Sequence, residues 1–162
     1  MLVLENVFKN VSPDLKTKIH GLWKSEGALE DEKLIEERLS QVVYVILDSE
    51  SGTLGGVSTA EKKRVQALNN NYFYEFRCFI GKGYRVAGLD VKLSKITFGF
   101  LESISHEDVN HPIGIFSVLE NEMLKKETVW RRAVWPEIEM YFVGYTNSGN
   151  PIRVHYFKGA RI

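Results

Sequence analysis

Apolar and polar residues alternate along this chain with two periods, and the places where the period changes divide it into elements. Leu2, Val3 and Leu4 with Val7 and Phe8 make a short apolar opening that predicts a first strand. Ser12-Pro13 then supplies a helix N-cap followed by proline at the first helical position. Leu15, Ile19 and Leu22 follow at spacings of four and three, which places them on one face of a helix that Gly27 ends. A second, acidic helix begins near Glu30 and buries Ile35, Leu39 and Val42. Its Asp and Glu residues crowd the first turns, where the helix dipole favours negative charge.

The period then shortens. Residues 42–47 are a β-branched apolar run, 48–52 carry turn chemistry, and 53–68 read as a long following strand. Gly55-Gly56 inside that segment predicts a bulge or a close backbone approach. Asn69-Asn70-Asn71 marks a turn, and residues 72–80, rich in aromatics, complete an antiparallel meander as its central strand. A loop at 81–84 leads into a helix with an apolar stripe at Val86, Leu89, Leu93, Ile96 and Phe100. Residues 106–112 break the pattern; 114–119 predict a fifth strand, 120–134 another helix, and 140–145 with 152–157 a hairpin about a turn-rich sextet. No repeat, low-complexity segment or linker interrupts the chain, so residues 1–162 read as a single domain. Its class is mixed α/β (α+β): a mostly antiparallel central sheet flanked by helices, with one strand–helix–strand crossover starting at Tyr72. Mixed sheets of this kind bind ligands where the strand order reverses. The loop after Ile80 is therefore where chemistry is expected.

Composition narrows the function classes. Lys+Arg and Asp+Glu both number 21, so the formal net charge is zero and the overall electrostatic footprint of a nucleic-acid binder is missing. Cys78 is the only cysteine, which excludes an intramolecular disulfide and a cysteine zinc cluster. Its apolar neighbours predict a small buried hydrophobe rather than a nucleophile. His20, His106, His111 and His155 are scattered; His106 and His111 flank Glu107 and Asp108 with no third ligand spaced to match, so no metal is expected. The N-terminus lacks the pattern of a signal peptide, and no apolar run approaches the roughly 20 residues of a membrane span. A cytoplasmic protein with no membrane partner is the expectation. Lys125, Lys126, Arg131 and Arg132 read as a solvated helix face or, with Arg153, Lys158 and Arg161, as a docking patch for an acidic or nucleic-acid partner.

The loop itself carries a motif. After the apolar strand end Cys78-Phe79-Ile80 come Gly81-Lys82-Gly83-Tyr84 and then Arg85-Val86-Ala87-Gly88-Leu89-Asp90. This run resembles the signature of the GCN5-related N-acetyltransferase superfamily: a strand end, a short loop, then Arg/Gln-x-x-Gly-x-Gly/Ala opening a helix. Arg85 and Gly88 match it, Leu89 fits the apolar slot, and Asp90 departs from it where a small residue is usual. The element order of essentially the whole chain resembles the family's as well. The resemblance implies the acyl-CoA N-acyltransferase fold, acetyl-CoA as co-substrate, a primary amine as acceptor, and direct attack of that amine on the thioester. It also implies that Cys78, Phe79 and Ile80 run beside the pantetheine arm, that residues 85–90 hold the pyrophosphate, and that Asn121 contacts the cofactor after the fifth strand.

Elementary physics supports an anion site there whatever the family. Backbone N–H groups at a helix start have no partner within the helix and converge on one spot. The helix dipole adds to them, and a glycine lets an anion approach closely. Asp90 favours the helix start by about 0.3–1 kcal/mol but repels a pyrophosphate unless it points away or pairs with Lys82 or Lys92. For catalysis the resemblance points to a glutamate on the central strand, here Glu75, as base; a salt bridge with Arg77, two residues on, is the alternative reading. The helix after the fifth strand offers Trp130 where the family has a tyrosine, which leaves Tyr145, or Tyr141, as the acid. The other function classes open at this stage are a catalytically silent binding relative and a macromolecular interaction protein. The C-terminal strands are candidates for pairing in a homodimer.

Overall fold

In a computed structural model, which describes residues 1–121, 125–126 and 128–162, the N-terminal signals act as their chemistry dictates. β1 (Leu2–Asn6) pairs antiparallel with β2 (Val42–Asp48), Leu2 against Asp48. α1 (Pro13–Ser25) starts at Ser12, whose hydroxyl accepts from the Leu15 N–H at 3.2 Å. α2 (Glu32–Leu39) starts at Asp31, whose carboxylate accepts from the Leu34 N–H at 2.8 Å. Each cap satisfies one of the donors that a helix start leaves open. Ile19 and Trp23 of α1 and Ile35 and Leu39 of α2 are buried in a cluster with Val42, Val45, Leu54 and Val57.

β3 (Leu54–Val65) follows β2 in antiparallel pairing, and its register slips between the Ile46–Gly56 and Leu47–Leu54 pairs. The slip leaves Gly55 bulged, as the paired glycines predict. The strand is shorter than its apolar pattern suggests, because Gln66–Leu68 turns as a 3-10 helix and Asn69 and Asn70 adopt positive φ. β4 (Asn71–Ile80) then leads through a short turn into α3 (Leu89–Ile104) and on to β5 (Gly114–Val118). β4 and β5 are parallel, as the crossover requires. Their ladder holds the pairs Tyr74–Ile115 and Glu75–Phe116, and among the described residues it ends there. The last five residues of β4 therefore run on past it.

β6 (Val134–Trp135), β7 (Met140–Tyr145) and β8 (Pro151–Tyr156) close the chain; β8 pairs antiparallel with β5 and with β7. The hydrogen-bonded strand order is β1-β2-β3-β4-β5-β8-β7-β6. Two compact units divide the chain, one of Met1–Ala60 with Arg77–Thr97 and one of Glu61–Phe76 with Phe98–Ile162. The core of the second is built on Phe73, Phe116 and Val154, with Phe73 and Phe116 edge to face.

Two expectations fail. The helix expected over 120–134 is not continuous: Thr128–Arg131 is a 3-10 turn and Val134–Trp135 is a strand, while residues 122–124 and 127 lie outside the described residues. Pro136 explains the strand, since it forces the residue before it into extended backbone. The stripe assigned to the crossover helix is also displaced. Val86 precedes the helix and is 58% exposed, and Ile96 is 38% exposed. The buried face instead carries Leu89, Leu93, Ser94, Thr97, Phe98 and Leu101.

Two of those residues are polar, and a hydroxyl chain accounts for Thr97 in the first unit. Thr97 donates to the Leu93 carbonyl at 2.8 Å, so its oxygen accepts from Ser58, 2.9 Å away, and Ser58 in turn accepts from the Tyr44 N–H at 3.2 Å. The chain ties α3 to β2 and β3 with every proton assigned. Removing either hydroxyl breaks this buried link, so Ser58→Ala and Thr97→Val should each cost about 1–3 kcal/mol. In urea unfolding the double variant should lose less than the sum of the two, because both delete one bond. Strict additivity would refute the coupling.

Candidate functional site

The turn between β4 and α3 is clamped at three points, all within the first unit. The Gly81 N–H donates to the Gly55 carbonyl at 2.9 Å. Both carboxylate oxygens of Glu26, just past α1, accept from the Lys82 N–H at 2.9 and 3.0 Å. Arg85 Nε donates back to the Ile80 carbonyl at 3.0 Å. Between these points Lys82–Tyr84 forms one 3-10 turn, and the Tyr84 ring lies over Gly55 so closely that a Cβ there would come within 2.8 Å of its Cγ. Gly56 is confined too: a Cβ would lie 2.9 Å from the Phe79 carbonyl. The paired glycines thus serve both purposes the sequence allowed, bulge and close approach.

Beyond the clamp the backbone opens. Arg85, Val86, Ala87 and Gly88 are exposed, and Gly88 takes φ +80°, a conformation that side chains with a Cβ resist. Among the described residues the N–H groups of Ala87, Gly88, Asp90 and Val91 donate to no backbone carbonyl, and nothing stands within 4 Å of where a Gly88 Cβ would be. Beside them lies an open hollow of about 530 Å³ lined by Gly88, Val91, Lys92, Lys95 and Ile96. Free N–H donors, the positive end of a helix of 16 residues and two lysines suit an anionic ligand, and Val91 and Ile96 suit an apolar part of it. The residues present thus fit a pyrophosphate with an organic group attached. Asp90 is half-buried and forms no ion pair with Lys82 or Lys92 among the described residues.

The strand end departs from expectation at one residue. Cys78 is exposed, not buried as its apolar neighbours suggested. Crowding around its sulfur, with Asp90 adding to it, nevertheless pushes the thiol pKa up to about 12. Exposure and crowding pull opposite ways, and accessible area is the better guide to whether a reagent can reach the thiol. Phe79 and Ile80 are half-buried.

The remaining predicted residues belong to the second unit. Glu75 is 6% exposed, and its carboxylate stands 2.5 Å from Lys63 Nζ, which also approaches Glu61 at 3.3 Å. Glu75 is thus ion-paired across strands, from β4 to Lys63 on β3. Residues two apart along a strand are about 7 Å apart, whereas cross-strand neighbours approach to about 5 Å. Tyr145 is 65% exposed, its ring packed on Phe142 at a centroid distance of 5.0 Å. Asn121 is exposed, and its carbonyl accepts from the Lys125 N–H at 3.1 Å. Among the described residues no group of three or more His, Cys, Asp and Glu is placed to hold a metal ion, and no helix is long and apolar enough to cross a membrane.

No protein-family model and no curated protein sequence matches the chain. Solved structures do. A mosquito arylalkylamine N-acetyltransferase-like 5b superposes with a TM-score of 0.70 at 10% identity, covering 97% of this chain and 100% of that one. The Arabidopsis thaliana NAA60 structure in complex with acetyl-CoA gives 0.64 at 10% identity over 98% and 100%. An aminoglycoside 6'-N-acetyltransferase complexed with coenzyme A gives 0.61 at 12% identity over 99% of each chain. The chain has the fold of the GCN5-related N-acetyltransferase superfamily. That acyl-CoA N-acyltransferase fold is the one implied by the motif at Arg85 and Gly88.

Several residues that shape the site carry no motif. Glu26 and Lys63 act through contacts distant in sequence, whereas Gly55-Gly56 announced itself. Gly55→Ala should push Tyr84 off the bulge and release the turn. Amide exchange over residues 81–90 should then rise by about tenfold or more, while β1 and β2 keep their protection. Unchanged exchange at Gly81 would show that the clamp does not depend on Gly55.

The Lys63 pair makes a pH prediction. Burial pulls the Lys63 pKa down, but the hydrogen bonds and charges of Glu75 and Glu61 more than offset this, so it is held above the ordinary 10.5. A raised lysine pKa stabilises the fold below 10.5, and that contribution is lost as pH rises through the folded-state value. The difference in Tm between the parent and Lys63→Met should therefore stay level up to about pH 10 and close above it. A gap that persists unchanged at the alkaline end would mean the stabilisation is not ionic.

Proposed function

We propose that the protein is an acyl-CoA-dependent N-acyltransferase that passes an acetyl group from acetyl-CoA to a primary amine. The observation that carries this reading is the clamped turn with its four free N–H groups beside a lysine-lined hollow, on the fold that cofactor-bound acetyltransferases share. Arg85, Val86, Ala87, Gly88, Leu89 and Asp90 supply the backbone that would hold the pyrophosphate, with Lys92 and Lys95 adding positive charge. Cys78, Phe79 and Ile80 lie on the part of β4 that runs past its ladder with β5, so the edge of the strand turned away from β3 is open there to a bound pantetheine arm. Asn121 is assigned to the same ligand on the family resemblance.

Acetyl-CoA supplies a thioester carbonyl carbon; attack by the amine forms the C–N bond and breaks the C–S bond. Glu75 is assigned the proton released from the amine. Its carboxylate is buried, next to a cation that favours its charged form, on the strand from which the ladder departs. A free backbone N–H beyond the ladder would polarise the carbonyl. Tyr145, an exposed phenol, is assigned the proton taken up by the leaving thiolate. Soluble, cytoplasmic operation on a small or peptide amine belongs to the same reading.

Calorimetric titration with acetyl-CoA tests it. Saturable heat is expected in the parent, and its loss in Gly88→Glu, which sets a carboxylate among the anion-binding N–H groups. Acetyl-CoA should also slow alkylation of Cys78, the only thiol. Glu75→Gln should retain acetyl-CoA affinity while acetylation of an amine panel falls by about 10²–10⁴-fold. Absence of any heat in the parent would sink the proposal, and binding undiminished in Gly88→Glu would move the cofactor elsewhere.

A further inference from the structure

Arg153, on β8, is 2% exposed. Its Nη2 donates to the carbonyls of Trp130, at 2.9 Å, and of Arg132, and its guanidinium carbon stands 3.8 Å over the Trp135 ring. Among the described residues its Nε and Nη1 are buried without a hydrogen-bond partner, and so is Trp135 Nε1. These three unmet groups are all donors. No carboxylate among the described residues forms an ion pair with Arg153. A buried cation answered only by two neutral carbonyls is an expensive arrangement, and a buried group left unpaired calls for a missing ion or partner.

The missing partner must offer acceptors only, and must carry negative charge. The backbone that Arg153 bonds to is at the surface: residues 131–134 are exposed while Arg153 is not. A carboxylate, whose two oxygens accept side by side from a guanidinium edge, matches the Nε and Nη1 pair. Arg131 and Arg132, both exposed on that stretch, make its outer surface attractive to anions. We propose that Arg153 and Trp135 form a binding site for the carboxylate of a small organic acid, which enters by lifting residues 130–135. The bound carboxylate accepts from Arg153 Nη1 and Nε and from Trp135 Nε1, and indole stacking holds the guanidinium in place. Carboxylate binding there requires no acyl transfer, and no acetyl-CoA.

The probes are sodium acetate and sodium succinate, titrated into the full chain against sodium chloride and inorganic phosphate at matched ionic strength. Thermal unfolding and tryptophan emission are read together. A saturable rise in Tm and a saturable emission change are expected with the carboxylates. Arg153→Met should abolish both responses while folding as well as the parent or better, because it removes an uncompensated buried charge. Trp135→Phe keeps the ring and loses the N–H, so it should weaken apparent carboxylate affinity by about tenfold as read by Tm; it also serves if Arg153→Met does not fold. No saturable response, an equal response to chloride or phosphate, or a response that survives both substitutions overturns the site.

Discussion

The β4–α3 turn is held by its approach to the backbone at Gly55, and the rest of the candidate site follows from that approach. A register slip in β3 presents the Gly55 carbonyl to the Gly81 N–H and clears the space that Tyr84 fills. With Gly81 and Tyr84 fixed, Arg85 reaches back to Ile80, and the chain has three residues in which to turn into α3. Gly88 completes that turn at positive φ, and the N–H groups that follow it open a helix and have no preceding helical carbonyl to bond. An anion site made of backbone has no side chains to reposition, so its quality depends on how rigidly the backbone is held. The Glu26 carboxylate, fixed to Lys82 from the end of α1, holds the turn from the other side.

Much of the fold was legible because its signals were local. Ser12-Pro13, the acidic start of α2, Asn69-Asn70 and the turn before Pro151 each act within a few residues, and each produced the element its chemistry implies. The misreadings arose where contacts distant in sequence decide. The apolar stripe passed over Thr97, yet a hydroxyl on β3 makes burial of Thr97 favourable, and that rotates the assigned face of α3. The segment after β5 reads as helix by charge and apolar spacing, whereas Pro136 and the pairing of Val134 with Tyr141 draw it into a strand. In the site, Arg85 and Gly88 were readable as a motif because backbone geometry leaves a sequence mark. The Lys63 partner of Glu75 was not, since the two lie on different strands and nothing local distinguishes Lys63 from Lys62.

The same contrast decides what Asp90 means. By sequence it is the one position at odds with a pyrophosphate site, and its two prospective cations, Lys82 and Lys92, leave it unpaired. Its place on the helix removes most of the conflict. Val91, Lys92, Lys95 and Ile96 line one face of α3, and at 3.6 residues per turn Asp90 lies roughly 100–160° around from each of them. It is absent from the lining of the hollow, and its charge is felt instead by Cys78 on the strand side. Set there, the carboxylate still strengthens the helix start by about 0.3–1 kcal/mol while its field on the hollow is weakened by distance. A small residue at this position would remove a minor repulsion and a minor helix-stabilising charge together, so Asp90 is compatible with a cofactor turn whose binding groups are the backbone and the two lysines on the opposite side.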